Sequence, residues 1–288
     1  MSEVFDVFLL EAVLNGLLLG GLLALLSLGL NLVFGVIDVV WICYAELIMC
    51  GMYAVYYLHV PYHWPLMLAM LAAIALVALL GLILHQFVIR PVLTAEPINQ
   101  LLVTGGVLFF LQAAATLAFG IEFKNLGVTL PSVRLGEMSF SGARIIAFSV
   151  ALAGMVALWI FLSRSYLGTA IRAISQDRAI MPLMGVDPAR IFAITSALGG
   201  GLAGLAACLL VLQYDIHPAI GLSFGPIVFL ICVLGGLGNM LGGFVAAFIF
   251  AQFIAVGGFF FAIEWGYVIA FAFFIAVMFW RPRGIFGK

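Results

Sequence analysis

The sequence predicts an all-α protein that crosses a membrane several times and forms one domain over residues 1–288. Mean hydropathy is +1.32 and only 8% of residues are charged, whereas a soluble domain carries about 25%. Apolar runs close to the ~20 residues that a helix needs to cross the hydrocarbon core recur along the chain. Because backbone polar groups in lipid must be satisfied within their own segment, we expect these runs to be helices.

Eight membrane segments are expected, and basic residues between them indicate their direction. Lys and Arg concentrate on the cytoplasmic side of membrane proteins. Arg90 and the polar stretch 164–190 then lie inside, and the acidic N-terminus lies outside without a cleaved signal segment. The expected segments are about 8–36, 39–58, 65–86, 98–120, 145–163, 191–213, 225–256 and 262–280.

One segment is expected not to cross fully, because eight crossings would leave the basic C-terminal residues outside. One interpretation places the irregularity in 225–256, whose centre reads LGGLGNMLGG, as two half-helices that enter and return on one side. The other places an extra turn inside the glycine-containing segment 8–36. Charge counting does not choose between them.

The stretch 35–58 is also interrupted by polar residues. Asp38 is expected to cap a helix start. Glu46 lies inside an apolar run, where a carboxylate is costly unless it has a partner or a wet cavity. It either lies beside a translocation path or fixes a broken helix as a protonated or hydrogen-bonded carboxyl. Two interrupted segments in different halves of a chain are typical of a transport site near the membrane midplane.

Enzymatic chemistry is not expected in this chain. No G-x-x-x-x-G-K-[ST], H-E-x-x-H or G-x-S-x-G pattern occurs, and its only lysines are Lys124 and Lys288. The four cysteines lie in apolar runs without metal-ligand spacing. We therefore predict no catalytic residue, no metal site and no cofactor.

The stretch 164–190 is polar and contains apolar residues at roughly helical spacing, which predicts a short amphipathic helix. Gly168 begins this helix, and Gly185 followed by Asp187-Pro188 ends it before the next segment. Two interpretations stay open from the residues alone. The helix rests on the lipid interface, or it inserts its apolar face into a groove on a soluble partner.

Four stretches resemble the LivH-type permeases of branched-chain amino acid ABC importers. They are GLLLGGLLALLSLGLNLVFGVIDVV, YLGTAIRAISQDRAIMPLMGVDPARIFAITSALGGGLAGLAACL, VLGGLGNMLGGFVAAFIF and RPRGIFGK. The resemblance covers nearly the whole chain in the family's order. It implies a permease subunit in the bacterial inner membrane that passes a small solute, branched-chain or other hydrophobic amino acids, into the cytoplasm.

The resemblance also implies partners and site residues. The partners are a second related permease, two cytoplasmic ATP-binding subunits and a periplasmic solute-binding protein. A coupling helix at about 167–187 docks on an ATP-binding subunit through Gly168, Arg172, Ile174, Asp177, Arg178, Leu183 and Gly185. The candidates for the translocation path are Tyr44, Glu46, Asn31, Gly235, Gly236 and Gly238.

One segment departs from the family pattern. Members commonly read N-F-A-H-G-E-L where this chain reads WICYAEL, so Tyr44 and Ala45 replace the usual His and Gly while Glu46 is kept. Relatives also carry urea, short amides and small organic or aromatic acids, which are alternative cargoes. A stand-alone channel or secondary carrier, with Glu46 as an ion site, is the alternative outside the family.

Overall fold

The computed structural model describes residues 2–128, 131–135, 138–178 and 180–287, and it is built almost entirely of helices. Six helices of the described chain are long and apolar enough to cross a membrane. The α-helices are α1 (Ser2–Ile37), α2 (Tyr44–His59), α3 (Leu66–Leu84), α4 (Arg90–Val92), α5 (Pro97–Phe119), α6 (Gly142–Arg164), α7 (Tyr166–Gln176), α8 (Pro188–Leu210), α9 (Ile220–Gly235), α10 (Met240–Phe260) and α11 (Ile263–Trp280).

Short irregular elements connect these helices. A π-helical turn, His85–Ile89, joins α3 to α4, and a 3-10 turn, Met181–Met184, lies between α7 and α8. Two three-residue strands, β1 (Val133–Leu135) and β2 (Met138–Phe140), pair antiparallel in the connection before α6. The sequence analysis did not foresee this hairpin, which lies outside the apolar runs. The predicted all-α membrane bundle is confirmed in its architecture.

The core of the bundle is built around α1, which packs antiparallel against α10. Gly16 of α1 faces Gln252, Gly20 faces Phe248, and Asn31 faces Gly243. These contacts run from Gly16 to Asn31 of α1 and cover much of the shorter α10. Small residues allow helices in lipid to approach closely, because packing rather than hydrophobicity drives their association.

The helices α3 and α8 form a second antiparallel pair, and glycines again let the two helices approach closely. Gly81 lies against Ser196 and Gly200, and Gly204 lies against Ile74 and Val77. Most residues of α8 are buried, whereas α5 is largely exposed along its length. The helices near the centre of the bundle are therefore α1, α2 and α8, and α5 and α6 form part of its rim.

The predicted interruption of 225–256 occurs at residues 236–239, between α9 and α10. Its two arms differ in length, with 16 residues in α9 and 21 in α10. Because α10 pairs with α1 along its length, it is not a half-helix, and the hairpin that enters and returns on one side is not observed. The alternative, an extra turn in 8–36, is wrong because α1 is one continuous helix over 36 residues.

Candidate functional sites

The break between α1 and α2 is a non-helical segment, residues 38–43. Asp38 has a φ of 62° and its N–H donates to the Phe34 carbonyl at 2.8 Å, which ends α1. Within the segment, the Val40 carbonyl accepts a hydrogen bond from Thr104 of α5 at 3.0 Å. The expectation that Asp38 caps a helix start is wrong. The residue that precedes α2 is Cys43, which makes no side-chain cap, and Asp38 instead reverses the chain after α1.

Glu46 lies in the first turn of α2 and is completely buried. Neither carboxyl oxygen has a hydrogen-bond partner among the described residues. The carboxyl group packs on Gly221 at the start of α9, where an added Cβ would lie 2.5–2.7 Å from its atoms. A hydrogen-bonded carboxyl that fixes the broken helix therefore has no partner among the described residues, and a protonated carboxyl in that role stays a prediction. A buried unpaired carboxyl instead calls for a partner, water or a passing group.

Tyr44, two residues earlier, also carries a buried hydroxyl without a partner in the described chain. Its ring meets Trp41 edge to face, with centroids 6.0 Å apart. The hydroxyl lies against Gly29 of α1, which leaves room for it by lacking a side chain. The aromatic residue that departs from the family pattern thus fills a space between α1 and α2.

A cavity of about 270 Å³ opens beside Tyr44 and is lined almost entirely by apolar side chains. Ala45 and Gly221 line it as well, so the Glu46 carboxyl lies directly behind its wall. The lining comes from α1, the 38–43 segment, α2, α5 and α9. It comprises Leu30, Val40, Trp41, Ile42, Tyr44, Ala45, Leu101, Leu108, Gly221, Leu222, Gly225, Pro226, Val228 and Phe229.

One face of α9 is exposed between this apolar cavity and a second one. Leu222 and Pro226 line both cavities, and the second, of about 530 Å³, extends past His217 to Tyr267 of α11. Leu222, Pro226 and Phe229 recur at the spacing of one helix face and are all exposed. We call this the α9 face. The sequence analysis missed it, although the GLSFGP sequence that begins α9 was a signal.

The α9 face does not suit contact with lipid. A 16-residue helix rises about 24 Å, which is less than the ~30 Å of hydrocarbon that it would have to cross. The non-helical segments 38–43 and 211–219 lie at the two cavities. Irregular backbone at membrane depth is tolerated only against protein or a water-filled cavity. The face is therefore suited to a path or a protein partner.

The predicted glycines Gly235, Gly236 and Gly238 lie at the α9–α10 break rather than beside Glu46. Gly236 and Gly238 have φ values of 94° and 79°, which only glycine adopts without strain. Asn31 is fully buried and its Oδ1 accepts from the Gly238 N–H at 3.1 Å. Because Asn31 faces this turn while Gly29 faces Tyr44, α1 separates the glycine turn from the Glu46 region. The residues predicted for the translocation path therefore lie at two separate places. Asn31 and the three glycines lie at the α9–α10 turn, and Tyr44 and Glu46 lie at the start of α2.

The polar stretch 164–190 contains the amphipathic helix α7. Ser165 caps it by accepting a hydrogen bond from the Gly168 N–H at 2.8 Å. Gly168, Ala170, Ile171 and Ile174 are buried beneath it. Of the predicted docking residues, Gly168 and Ile174 thus support α7 from below. The other predicted docking residues are exposed, namely Arg172, Asp177, Arg178, Leu183 and Gly185.

A cleft of about 1040 Å³ lies beside α7. One side is formed by α7, including Arg172, and by Asp177 and Arg178 that follow it, and the other by the α9–α10 turn and Phe286 of the C-terminal tail. Asp38, at the end of α1, lies in the same cleft. We refer to this side of the bundle as the α7 end. The molecule thus has an apolar cavity that is open beside the α9 face and a charged cleft at one end.

Comparison with known proteins agrees with this geometry. The family model described as branched-chain amino acid transport system, permease component, matches residues 12–278. The chain is 31% identical to the high-affinity branched-chain amino acid transport permease BraD of Pseudomonas aeruginosa, covering 100% of this chain and 98% of that protein. It is 29% identical to LivH of Escherichia coli K12 and of Salmonella typhimurium, with the same coverage.

A solved structure shares the fold. The match is to PsaBC from Streptococcus pneumoniae in complex with Fab, with a TM-score of 0.54, 12% identity and coverage of 93% of this chain and 91% of that one. At 12% identity this similarity supports only a shared arrangement of the helices. Together with the full-length family match, the helical bundle shows that the chain is a membrane permease belonging to the family of branched-chain amino acid transport permease components.

Proposed function

We propose that this chain is one of two permease subunits of an inner-membrane ABC importer that carries branched-chain and other hydrophobic amino acids into the cytoplasm. Two cytoplasmic ATP-binding subunits drive it and a periplasmic solute-binding protein delivers the cargo. The names of BraD and LivH, which match over the full chain, support the cargo. ATP hydrolysis belongs to the partner subunits.

The observation that carries the proposal is the α9 face with its two cavities. α9 is shorter than the hydrocarbon core is thick, and the irregular segments 38–43 and 211–219 at the two cavities need protein or a water-filled cavity beside them. A second permease placed against this face encloses both cavities and turns them into a path between subunits. The translocation path then runs along α9, with Tyr44 in its wall and Glu46 behind Gly221.

The lining of the path favours apolar cargo. Tyr44 is one of the few cavity residues with a polar side-chain atom, and the remaining side chains are mostly aliphatic or aromatic. An aliphatic amino-acid side chain gains by contact with such a surface, whereas urea or a short amide has little or no apolar surface to place there. The cavity therefore supports hydrophobic amino acids over the polar cargoes of related importers.

The α7 end supplies the contact with the ATP-binding subunits, and it faces the cytoplasm. The positions of Arg90 and of the basic tail residues, both at this end, agree with that orientation. Closure of the ATP-binding subunits moves α7 and shifts the helices between inward-open and outward-open states. Reversing the charges at Arg172 and Asp177 should weaken assembly with these subunits.

The test is purification of the chain from its native membrane, followed by uptake in vesicles. We expect two ATP-binding subunits and a second permease to come with it, and labelled leucine to enter only with ATP and the solute-binding protein. Excess unlabelled isoleucine should compete and urea should not. A homo-oligomer without an ATP-binding subunit, or competition by urea alone, would contradict the proposal.

A further inference from the structure

The C-terminal residues 281–287 form a segment that is fastened to the end of α9, and we call it the tail. The Ile285 N–H donates to the Leu234 carbonyl of α9 at 2.7 Å. Asn239, in the α9–α10 turn, donates through Nδ2 to the Phe286 carbonyl at 3.1 Å. Arg281 closes the tail on itself by donating to the Ile285 carbonyl at 3.2 Å. The tail and the turn are therefore one hydrogen-bonded unit.

Glycines bring this unit into direct backbone contact. Gly284 has a φ of 86°, and an added Cβ would lie 2.5 Å from the Val233 carbonyl. An added Cβ at Gly236 would lie 2.8 Å from the amide of Gly287. Side chains at either position would push the tail away from the end of α9. The sequence RPRGIFGK thus places glycine where the tail must touch the helix.

The tail also borders the cleft beside α7. Phe286 and Gly287 line the cleft opposite Arg172 and Ser175, and Phe286 is 45% exposed. The charged side chains that line it are Asp38, Arg172, Asp177 and Arg178, and the exposed Arg281 and Arg283 follow in the tail. The two acids and two arginines that line the cleft balance, so the excess of positive charge comes from the two tail arginines, and this excess fits a protein partner with an acidic contact surface.

From these contacts we propose that the tail is the second wall of the docking site for an ATP-binding subunit, facing α7 across the cleft. This inference rests on the proposed function, since it assigns a further contact to the same partner. If so, movement of the partner reaches the helical bundle in a second way, besides the movement of α7. The partner moves α7 on one side, and on the other it moves the tail, the α9–α10 turn and hence α9 itself.

The route from the tail reaches the bundle interior through identified contacts. The turn is held to α1 by the bond from Gly238 to Asn31 and by the packing of Gly238 on Gly35. The other end of α9 carries Gly221, against which Glu46 packs. The 16-residue helix α9 therefore connects the docking surface to the wall of the apolar cavity.

Cysteine labelling in the assembled importer tests the inference. The native cysteines are buried or half-buried, so introduced cysteines dominate the signal from a water-soluble maleimide. Phe286→Cys reports on the tail, Arg172→Cys on α7, and Thr94→Cys on an exposed site at the same end but outside the cleft. Rates are compared with the ATP-binding subunits present and after their removal.

We expect the subunits to slow labelling at both Phe286→Cys and Arg172→Cys by about fivefold or more, and to leave Thr94→Cys unchanged. Protection at Arg172→Cys without protection at Phe286→Cys would overturn the inference while leaving the proposed function intact. If no ATP-binding subunit associates with the chain, the proposed function fails and the inference falls with it.

A matched pair of glycine substitutions tests the mechanical consequence. Gly284→Ala and Gly127→Ala both place a side chain at a positive φ, 86° and 71° respectively, but only the first meets neighbouring atoms. In the whole importer, Gly284→Ala should lower ATP-driven leucine uptake by about fivefold or more, and Gly127→Ala should leave it near the original rate. Equal uptake by the two variants would contradict the role of the tail. If Gly284→Ala does not insert into the membrane, the labelling rates of Phe286→Cys test the role of the tail instead.

Discussion

The two helix breaks of this permease differ in how the polar groups beside them are paired. At residues 236–239 the freed backbone groups are paired, with Asn31, Asn239 and the tail supplying hydrogen bonds and glycines allowing close packing, while Nδ2 of Asn31 has no partner among the described residues. At residues 38–43 the backbone is supported by Thr104, but the buried side-chain oxygens of Tyr44 and Glu46 beyond it have no partner in the described chain. A break whose backbone groups are paired is suited to transmit movement, whereas unpaired side-chain oxygens are available to cargo or water.

The largest expected effect comes from filling the paired break. Gly242→Val would place atoms on the backbone of Gly235, which cannot move aside. We expect a loss of about 3 kcal/mol or more in stability and little folded permease. The measurement is the yield of monodisperse protein in detergent. Gly106→Val, at an exposed site of α5 with open space around it, is the control and should be neutral. Equal yields would mean that the break is loosely packed.

The second effect concerns the unpaired break and should fall on transport rather than folding. Glu46→Gln replaces a buried carboxyl that has no partner among the described residues by an amide of nearly the same shape, so stability should change little. Leucine uptake should fall by about tenfold, equivalent to about 1.4 kcal/mol. Glu264→Gln, in the first turn of α11 and exposed, should leave uptake unchanged. Unchanged uptake together with lost stability in Glu46→Gln would make Glu46 a structural residue.

A smaller effect is expected at Asn31, which joins α1 to the paired break. Asn31→Ala leaves the Gly238 N–H without its acceptor and should cost about 1–3 kcal/mol. Thermal unfolding in detergent checks this. Asn99→Ala, exposed at the start of α5, is the control and should differ little from the original chain. A midpoint for Asn31→Ala equal to that of the control would show that the bond does not hold the turn.

The smallest effect should be at Tyr44, and a second tyrosine provides the contrast. Tyr57 accepts a hydrogen bond from Lys124 at 2.6 Å, whereas the Tyr44 hydroxyl has no partner in the described residues. Tyr57→Phe should therefore lose about 1 kcal/mol of stability, and Tyr44→Phe should lose none. The measurement is the thermal unfolding midpoint of both variants. A lower midpoint for Tyr44→Phe than for Tyr57→Phe would contradict the prediction.

The sequence predicted the long helices, the exposed helix α7 and the break in LGGLGN, because each has a local signal in hydropathy, charge or glycine content. It did not predict that Asp38 ends α1, because Asp favours the N-cap of a helix and the positive φ that it adopts after α1 has no local signal. The separation of Asn31 from Glu46 and the exposure of the α9 face depend on long-range packing. So do the tail contacts, whose partners lie 47–51 residues earlier in the chain.

The central claim is that the α9 face lines the path and does not contact lipid. Its most direct test is labelling of Phe229→Cys in the reconstituted importer with a charged, water-soluble thiol reagent, with Ile160→Cys on the exposed surface of α6 as the lipid-facing control. We predict that Phe229→Cys reacts, that leucine with solute-binding protein and ATP changes its rate, and that Ile160→Cys does not react. Reaction of Phe229→Cys only with a lipid-soluble reagent, like Ile160→Cys, would contradict the account.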